Sequence, residues 1–543
     1  MEEEKIKKIR RRNYIPFYVS VAMAIGLLMG MFLIPKQTKM KINYLTNGKI
    51  GEVVDLVRKY YFEEIDAEKV NDDAIQSFLA SLDPHSSYIT RENSQRYDEM
   101  LFGQFNGIGI QFNMLNDTLL IVNVVPDGPS HKIGLLAGDK ILKVDGENIA
   151  GVKIKNEEII SKLRGKKGSK VKVSILRSGI DKLLEYEIVR DKIPLESISV
   201  FYMLDKETAY MLVDNFTITT GQEFMRALQT LKKQNMKNLI LDLRGNPGGF
   251  LGAAIEICDQ FLSKNKLIVY TDGKYVGKEE YRARTRGIFE KEEQKIVVLI
   301  DEWSASASEI VAGAIQDHDR GVVIGRRSFG KGLVQRQYYL SDSSEVMLTV
   351  ARYFTPSGRC IQKPFDNISL ENYYIDILNR YDRGEMDNAD SVKFIDTLKY
   401  KTAGGRTVYG GGGIMPDIFI PVEKSNKVVY FNKIANQGIL FNFAMEYVDQ
   451  HRKQLSRFKT VEEFDSHFVI TENILQQIIQ KAEKQGIASN EINPYAKKLI
   501  QKWTKAYIAR NLYNAVGFYQ IINQEDSMIK KSLEVFKEKS HKK

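Results

Sequence analysis

Cysteine and histidine are both scarce in this chain. Its 543 residues include two cysteines, Cys258 and Cys360, and six histidines. Neither cysteine lies in a spaced cluster of Cys and His, which excludes a cysteine-held zinc site. One disulfide is permitted in an oxidising compartment, but the sequence does not establish it. Cys258 falls on an apolar helical face, which predicts a buried thiol.

A strong excess of one charge is also lacking. The net charge is +10, and the basic residues cluster at the two termini, so nothing predicts a nucleic-acid partner. Hydrophobic residues make up 43% of the chain, which is ordinary for globular protein. A single core rarely grows beyond about 250–300 residues, so this length predicts several domains.

One long uncharged and mostly apolar stretch stands out, at residues 15–35, directly after a basic segment. This length just spans a bilayer as a helix. The basic flank keeps the N-terminus cytoplasmic and exports the rest. The alternative is a cleaved signal peptide. No small-x-small cleavage site closes the segment, which ends Phe-Leu-Ile-Pro, and this favours an uncleaved anchor.

The stretch that predicts chemistry is residues 301–335. An apolar run at 296–300 predicts a buried strand, and a turn of small residues and a helical pattern follow it. Such a corner presents a hydroxyl and aims backbone N–H groups at the same space, which acyl transfer requires. A second apolar strand, 322–324, leads to Lys331. A lysine in a dry pocket can lose its proton and act as a general base.

Three other interpretations of this stretch stay open. The serines could serve only as helix caps, a role we predict for Ser304 or Ser308. Residues 325–331 fit the phosphate-loop pattern G-x-x-x-x-G-K, but Gly332 stands where Ser or Thr would hold magnesium. A Ser-His-Asp triad would use His318, which sits in a polar turn where a surface role is favoured.

The segments SASASEIVAGAIQDHDR and FGKGLVQ resemble the carboxyl-terminal processing (tail-specific) protease family of serine peptidases. The resemblance implies a Ser–Lys dyad. Its nucleophile would be Ser306, which lies 25 positions before the lysine, and its base Lys331. Gln335 would orient the lysine. No cofactor, metal, ATP or nucleotide is expected to take part.

Residues 243–249, LRGNPGG, follow a predicted buried strand and precede a predicted helix. A glycine turn at a helix N-terminus offers free N–H groups and the positive end of the helix dipole. By resemblance, the oxyanion donors are the backbone N–H groups of Gly248 and Ala307; the alternative is a purely structural turn. Asp242 and Arg244 are predicted to brace this turn rather than to carry protons.

Residues 103–190 resemble a PDZ domain. In such a domain backbone N–H groups converge on the terminal carboxylate of a peptide, and a neighbouring strand offers its edge. The substrate-binding loop is expected at four residues: Gly107, Ile108, Gly109 and Ile110. Arg164 follows the predicted groove helix. In some relatives an arginine near this position reaches toward the dyad when a tail docks; the alternative is a solvated basic turn.

A further segment, LDPHSSY at residues 82–88, resembles a family signature that precedes the binding domain. Its composition predicts a turn. His85 within it is predicted to make a hydrogen bond in that turn rather than to act as a catalyst.

The predicted fold class is α/β multidomain, with a β-rich α+β PDZ domain and, by resemblance, a mixed α/β Ser–Lys peptidase core related to the crotonase-like or ClpP-like fold. The expected order is a cytoplasmic N-terminus (1–14), a transmembrane anchor (15–35), an N-terminal helical region (41–102), the PDZ domain (103–190), the peptidase core (191–422) with a helical insertion at about 366–400, and a C-terminal helical region (423–543). The last region is amphipathic, so it either packs within the chain or pairs with a second subunit as a homo-oligomer.

Together, the apolar stretch and the family resemblance imply an inner-membrane, single-pass serine endopeptidase of a bacterium, with its catalytic body in the periplasm or otherwise outside the cytoplasm. Its partners would be protein substrates with exposed C-terminal tails. A second interpretation is a non-catalytic PDZ scaffold, or an apolar-ligand or peptide-binding protein on the same core. The complete set of Ser306, Lys331 and Gln335 favours the enzyme, since a scaffold has no evident need for all three.

Overall fold

A computed structural model describes residues 49–365, 370–393, 396–422, 426–489 and 492–538. The chain divides into two compact units, residues 1–74 and 75–543. The predicted cytoplasmic N-terminus (1–14) and membrane anchor (15–35) lie outside the described residues. Within the described ranges, no helix combines the length and the apolar character needed to cross a bilayer.

The N-terminal part is mainly helical, as predicted for residues 41–102, where the structure describes it. Helix α1 spans Lys49–Tyr60, and helix α2, Ala67–Ala80, contains the boundary between the units. In the second unit, strand β1 spans Ser87–Ile89 and helix α3 spans Arg91–Phe102.

The predicted PDZ domain is a strongly β-rich region. Its elements are β2 (Gln104–Gly107), β3 (Ile110–Leu115), β4 (Thr118–Val124), α4 (Pro129–Lys132), β5 (Lys140–Val144), β6 (Glu147–Asn148), α5 (Asn156–Leu163), β7 (Lys170–Leu176), β8 (Leu184–Val189) and β9 (Asp191–Pro194). Strands β3, β4, β5, β7 and β8 lie side by side in that order, and β6 pairs with β5. Strands β2 and β9 pair antiparallel, so the two connections of this region to the rest of the chain run together.

The central region combines parallel and antiparallel sheets. Its elements are β10 (Val200–Met203), β11 (Thr208–Leu212), α6 (Thr220–Lys233), β12 (Asn238–Asp242), α7 (Leu251–Asp259), β13 (Leu267–Gly273), β14 (Gly277–Arg282), β15 (Lys295–Ile300), α8 (Ala307–Asp317), β16 (Val322–Gly325), β17 (Leu333–Tyr339), β18 (Glu345–Phe354), α9 (Leu370–Asp382), β19 (Lys399–Lys401), β20 (Thr407–Tyr409) and β21 (Ile418–Phe419). Helix α9 lies within the predicted helical insertion.

A six-stranded sheet forms the centre of this region, in the order β10-β11-β12-β15-β16-β21, with every pair after β10–β11 parallel. Its strands are apolar on both faces. On β11, Ala209 and Met211 join a core with helices α6, α7 and α8, while Tyr210 and Leu212 join a second core on the opposite face. Parallel sheets are normally covered on both sides, which explains why these strands are nearly continuous apolar runs.

An antiparallel sheet adjoins this core, in the order β1-β18-β13-β14, with β17 also paired to β18. Strand β1 precedes the predicted PDZ domain in sequence, and it pairs with β18 through Ser87 and Met347. The sheet therefore joins segments from both sides of that domain.

The C-terminal region is helical, as predicted. Its helices are α10 (Val429–Asn436), α11 (Ile439–Leu455), α12 (Val461–His467), α13 (Glu472–Lys484), α14 (Pro494–Ile522) and α15 (Ser527–Glu538). Met445 on α11 is buried against Leu115 and Leu120 of the predicted PDZ domain. Lys140 and Asp449 form an ion pair of 2.7 Å at the same contact. Packing within the chain thus buries apolar faces of this region, and pairing with a second subunit stays a prediction.

Both cysteines are free. Cys258 is fully buried on α7, so the predicted buried thiol is confirmed. Burial also raises the pKa of this thiol, which keeps it protonated and unreactive.

Candidate active site

Three neighbouring parallel strands, β12, β15 and β16, end at one edge of the central sheet. Strand β12 runs into the turn at residues 243–249, β15 into the corner that ends at Ser306, and β16 into the loop that carries Lys331. Because these strands are parallel, their carboxyl ends lie side by side. The topology therefore brings together three segments that are far apart in the sequence.

Ser306 stands at the N-cap of α8 with φ 55° and ψ −113°. A positive φ is rare for a residue with a Cβ and marks local strain, which is often found at functional sites. The predicted capping role of Ser304 or Ser308 is wrong. Their hydroxyls instead donate to carbonyl groups of the adjoining glycine turn, Ser304 to Leu243 O (2.8 Å) and Ser308 to Asn246 O (3.1 Å).

Glu309 ties the two predicted catalytic residues together. It is fully buried, and one carboxylate oxygen, Oε2, accepts the backbone N–H of Ser306 and that of Lys331, each at 2.8 Å. The other oxygen, Oε1, accepts the N–H of Gly330 at 2.8 Å and the hydroxyl of Ser328 at 2.5 Å. Burial raises the pKa of Glu309 to about 7, while these hydrogen bonds act in the opposite direction. Since all four partners donate, the geometry suits the ionised carboxylate.

Tyr353 makes a second link between the same two residues, from the carbonyl side. Its hydroxyl lies 3.2 Å from Ser306 O and is also within hydrogen-bonding reach of Lys331 O. The ring is almost completely buried beneath them. Ser306 and Lys331 are therefore held as neighbours through their backbones, irrespective of how their side chains turn.

Burial lowers the pKa of Lys331 from its ordinary value, against the charges of Glu309 and Asp83, which raise it. This environment favours a neutral amine more than water does. Within the described residues, no hydrogen bond joins Lys331 Nζ to Ser306 Oγ. Catalytic hydrogen bonds often form only in the substrate complex, so the lack of this hydrogen bond is compatible with Lys331 as a general base.

Gln335 lies on β17, and its side-chain amide donates to Thr349 Oγ1 at 3.3 Å. Thr349 Oγ1 in turn donates to Asp83 Oδ1 at 2.9 Å. In the part of the chain that the structure describes, Gln335 makes no hydrogen bond to Lys331, so its orienting role stays a prediction. The contact instead links Gln335 to the N-terminal turn that contains Asp83.

That turn also acts on the lysine electrostatically, because the charge of Asp83 raises the pKa of Lys331. His85 donates its backbone N–H to Asp83 Oδ1 (2.8 Å), as predicted for a turn residue. Its ring nitrogen Nε2 lies 3.1 Å from the hydroxyl of Tyr373. Burial, and then the charge of Lys331, lower the pKa of His85 to about 3. The imidazole is therefore neutral at ordinary pH.

His318 does not join this group. Its Nε2 lies 2.7 Å from Leu267 O, and burial lowers its pKa. The ring is half-buried rather than on the surface, because it bonds the carbonyl group at the start of β13. The Ser-His-Asp alternative with His318 therefore gains no support from the structure.

The glycine turn packs directly against the serine corner. Gly248 has φ +94°, and a Cβ built on it would lie 2.7 Å from Ser306 Cβ and 2.8 Å from Ala307 N. Only glycine fits this approach. The N–H of Gly248 donates to the side chain of buried Asn246 at 2.8 Å. That donor is thus engaged in this state, and the oxyanion roles of Gly248 and Ala307 stay predictions.

The predicted brace of Asp242 and Arg244 is present. Arg244 Nη2 lies 2.6 Å from Asp242 Oδ2, and Tyr210 donates its hydroxyl to the same oxygen at 2.7 Å. Gly245, the next residue of the turn, donates its N–H to Asp301 Oδ1 at 2.9 Å. Side chains from two neighbouring strand ends therefore fix the start of the turn.

A cleft of about 210 Å³ lies between β3 and α5 in the predicted PDZ domain. The five predicted binding residues all line it: Gly107, Ile108, Gly109, Ile110 and Arg164. The Arg164 guanidinium lies 4.3 Å from the centre of the Phe105 ring and pairs with Glu99 of α3 at 2.8 Å. Arg164 is therefore held by partners rather than free in solvent, and its role in binding stays a prediction.

Sequence reasoning assigned no role to Glu309, Tyr353 or Asp83. For Glu309 a signal was available, because Ser306 and Glu309 have the S-x-x-E spacing of a capping box. For Tyr353 and Asp83, only the folded chain brings them to the site. Among the described residues, no group of three or more His, Cys, Asp or Glu side chains could hold a metal ion.

Comparison with known proteins gives three regions of similarity. Residues 207–368 match peptidase family S41, residues 106–188 match the PDZ domain, and residues 430–514 match a family of unknown function. A carboxy-terminal-processing protease of Bartonella bacilliformis is 37% identical over 323 residues, which is 59% of this chain and 73% of the relative. The carboxy-terminal processing protease CtpA of Bacillus subtilis is 34% identical over 364 residues, 65% of this chain and 77% of the relative.

Among solved structures, a photosystem II D1 C-terminal processing protease is 23% identical and covers 69% of this chain and 88% of its own. Its TM-score is 0.35, which is too low to support an argument about this chain.

Proposed function

Because this chain belongs to the carboxy-terminal processing protease family, peptidase family S41, we propose that it cuts protein substrates near their C-terminal tails with a Ser306–Lys331 dyad. The chain is a serine-type peptidase with a PDZ domain. The observation that carries the proposal is the shared acceptor, Glu309 Oε2, which holds the backbones of Ser306 and Lys331 side by side.

The PDZ cleft captures the substrate's C-terminal tail through backbone N–H groups and an added strand. Neutral Lys331 takes the proton of Ser306 Oγ, and the oxygen attacks the scissile carbonyl carbon. The N–H groups of Gly248 and Ala307 receive the oxyanion, each contributing about 3–4 kcal/mol by comparison with known oxyanion donors. For this step the Gly248 N–H leaves Asn246 Oδ1 and turns to the substrate.

The protonated lysine then gives its proton to the leaving amine, which breaks the peptide bond and leaves an acyl-enzyme. Lys331 next removes a proton from water, and the resulting attack releases the new C-terminus and restores the serine. Gln335, four residues after the lysine on β17, orients it. No step needs a metal, a cofactor or a nucleotide.

The mechanism predicts that kcat/KM for a tail peptide rises with pH. The neutral amine is the active form, and burial lowers the pKa of Lys331, so activity is lost as the pH falls through that lowered pKa. The rising part of this pH profile, here called the limb, is measured from about pH 5 to about pH 10. A flat profile over this range would contradict a lysine base. His85, with a pKa of about 3, cannot produce the limb.

Glu309→Gln separates the two groups that could titrate. Its charge raises the pKa of Lys331, so its removal should shift the limb to lower pH. The plateau should also fall by about 10²-fold, because glutamine has one acceptor oxygen for the four donors that Glu309 binds, and its NH2 group would face two of them. If the limb disappeared, it would belong to Glu309 itself. Glu345→Gln, at a buried glutamate on β18, is the matched control and should leave the limb in place.

We also propose that residues 15–35 anchor the enzyme in the inner membrane with the catalytic body outside the cytoplasm, in the periplasm. The support is the length of the apolar stretch and the basic segment before it. We expect the full chain to sediment with membranes and to resist alkaline carbonate, whereas a chain lacking residues 1–36 stays in the supernatant. Equal sedimentation of both forms would argue against the anchor.

A further inference from the structure

The last helix of the described chain is part of the peptidase core. Helix α15 covers the face of the central sheet opposite to α6, α7 and α8. Four of its apolar residues are buried there: Met528, Ile529, Val535 and Phe536. They pack against Tyr210, Ile240 and Val297 of three successive strands. A parallel sheet requires cover on both faces, so α15 completes the core instead of trailing from it.

Asp526, immediately before α15, uses its two carboxylate oxygens for different partners. Oδ1 accepts the backbone N–H of Met528 (2.8 Å) and of Ile529 (3.0 Å), which caps the first turn of the helix. Oδ2 accepts Nη1 of Arg244 at 2.7 Å. Burial acts to raise the pKa of Asp526, but the charge and hydrogen bond of Arg244 outweigh it, so the pKa is lowered.

The other nitrogen atoms of the Arg244 guanidinium, Nε and Nη2, donate to Asp242. Its Nε lies 2.9 Å from Oδ1 and its Nη2 2.6 Å from Oδ2. One arginine thus joins two carboxylates, one from the end of β12 and one from the start of α15. The Arg244 side chain is 20% exposed and that of Asp526 16%, so both ion pairs are largely shielded from water. Charge-assisted pairs in such a setting fix geometry more firmly than surface pairs do.

The position of Arg244 affects the active site because Arg244 lies near the start of the turn that contains Gly248. Asn246 in that turn accepts the N–H of Ala305 at 3.0 Å, next to the nucleophile. The serine corner also packs closely against Gly248, since a Cβ built on this residue would lie 2.6 Å from Ala305 O and 2.8 Å from Ala307 N. A shift of the turn would therefore move an oxyanion donor relative to Ser306. Misplacement by about 1 Å can cost about 10²-fold in rate.

We propose that Asp526 is a positioning residue for catalysis, which acts through Arg244 to hold the Gly248 turn against the serine corner. The C-terminal region thereby takes part in transition-state stabilisation without touching the substrate. This inference rests on the proposed oxyanion role of Gly248 and Ala307. It also gives a role to the end of the chain, which follows the segment, residues 430–514, that matches a family of unknown function.

The test is Asp526→Asn in the full chain. Asparagine caps helices as well as aspartate, so the start of α15 is retained while the ion pair is lost. We expect kcat for a tail peptide to fall about tenfold, with KM within about twofold. Affinity for a peptide boronic acid, which forms a tetrahedral adduct on the serine, should fall by a similar factor. Binding of the uncleaved tail to the PDZ cleft should not change.

Asp449→Asn is the matched control. It removes the ion pair of Asp449 with Lys140 in the same helical region, at the contact with the PDZ domain and without a bond to the turn. It should leave kcat and boronate affinity unchanged. Asp526→Glu, which keeps the charge, should recover part of the rate. If Asp526→Asn proves poorly folded, Arg244→Lys tests the same link and should also lower kcat rather than raise KM.

An unchanged kcat in a folded Asp526→Asn enzyme would overturn the inference. So would equal losses in the Asp526 and Asp449 variants, since these would indicate general loosening. Both results leave the dyad untouched. Failure of the proposed function is recognised separately, by a wild-type chain that cleaves no tail peptide or by a Ser306→Ala chain that cleaves as fast as the wild type.

Discussion

Ser306→Ala is expected to lower the rate of tail-peptide cleavage by a factor of about 10⁴ or more. The variant retains the donors and the lysine but has no atom that can form the acyl-enzyme. The fold should be preserved, because the backbone of residue 306 is fixed by the N–H bond to Glu309 and the carbonyl contact with Tyr353, neither of which uses the hydroxyl. Tail binding should be unchanged, since we propose that it takes place in the PDZ cleft.

Single-turnover cleavage and fluorescence anisotropy of the same labelled peptide would measure both properties in one preparation. A peptide with an amidated C-terminus should bind more weakly to both forms, because the proposed tail binding depends on backbone N–H groups that receive the terminal carboxylate. Ser344→Ala is a matched control, since Ser344 is a buried serine in the turn between β17 and β18. It should cleave like the wild type. Substantial turnover by Ser306→Ala would reject the nucleophile.

Lys331→Met should abolish cleavage to a similar extent, and it should do so without unfolding the protein. Methionine replaces most of the straight side chain but offers no proton acceptor. Burial lowers the pKa of Lys331, which means that the folded state disfavours its charge. Removing the amine relieves that desolvation, so the melting temperature should be equal to or higher than that of the wild type.

The size of this stability difference depends on pH. A lysine with a lowered folded-state pKa binds fewer protons when folded, so wild-type stability rises with pH between that pKa and the ordinary value of 10.5. The advantage of Lys331→Met should therefore be greatest at low pH and shrink as the pH approaches 10.5. Calorimetry at several pH values measures it. An advantage that grows with pH would show that the lysine is not held in a desolvated site.

Lys363→Met provides the comparison for activity. Burial also lowers the pKa of Lys363, whose Nζ donates to Tyr373 O at 2.8 Å and lies 4.1 Å from the centre of the Phe329 ring. It is a second shielded lysine that the mechanism does not use. This variant should retain measurable cleavage, and a loss as large as that of Lys331→Met would weaken the assignment of the base.

Much of the fold could be predicted because the patterns involved are local. Alternation and apolar runs located strands β12, β15 and β16, and small residues marked the corner at Ser306. The family segments then supplied the roles of Ser306 and Lys331. Ser306 and Lys331 lie close together because parallel pairing places the carboxyl ends of adjacent strands side by side.

The role of Glu309 could be predicted only in part, because most of its hydrogen bonds are not local in the sequence. The capping-box spacing gives the bond to Ser306, which is local. The bonds to Ser328, Gly330 and Lys331 depend on the pairing of β15 with β16, which no local pattern specifies. Capping of α8 was also assigned to the wrong serine. Ser304, Ser306 and Ser308 alternate with alanine in one short segment, so the sequence does not distinguish them. Only the fold determines that the hydroxyls of Ser304 and Ser308 bind carbonyl groups of the glycine turn.

The ion pair between Asp526 and Arg244 could not be predicted from the sequence. The amphipathic pattern of the C-terminal region predicts that it packs, but not against which surface. Whether it covers the central sheet, the PDZ domain or another subunit depends on tertiary complementarity. The structure shows contacts with both the central sheet and the PDZ domain.

The placement of α15 has a consequence for how the enzyme comes into being. Synthesis releases β1 before α15, yet both contribute to the same folded body. Until α15 has emerged, the surface of the central sheet that it covers stays open to water and Arg244 lacks its second carboxylate, Asp526. We therefore expect a chain that stops before α15 to cleave tail peptides more slowly than the full chain.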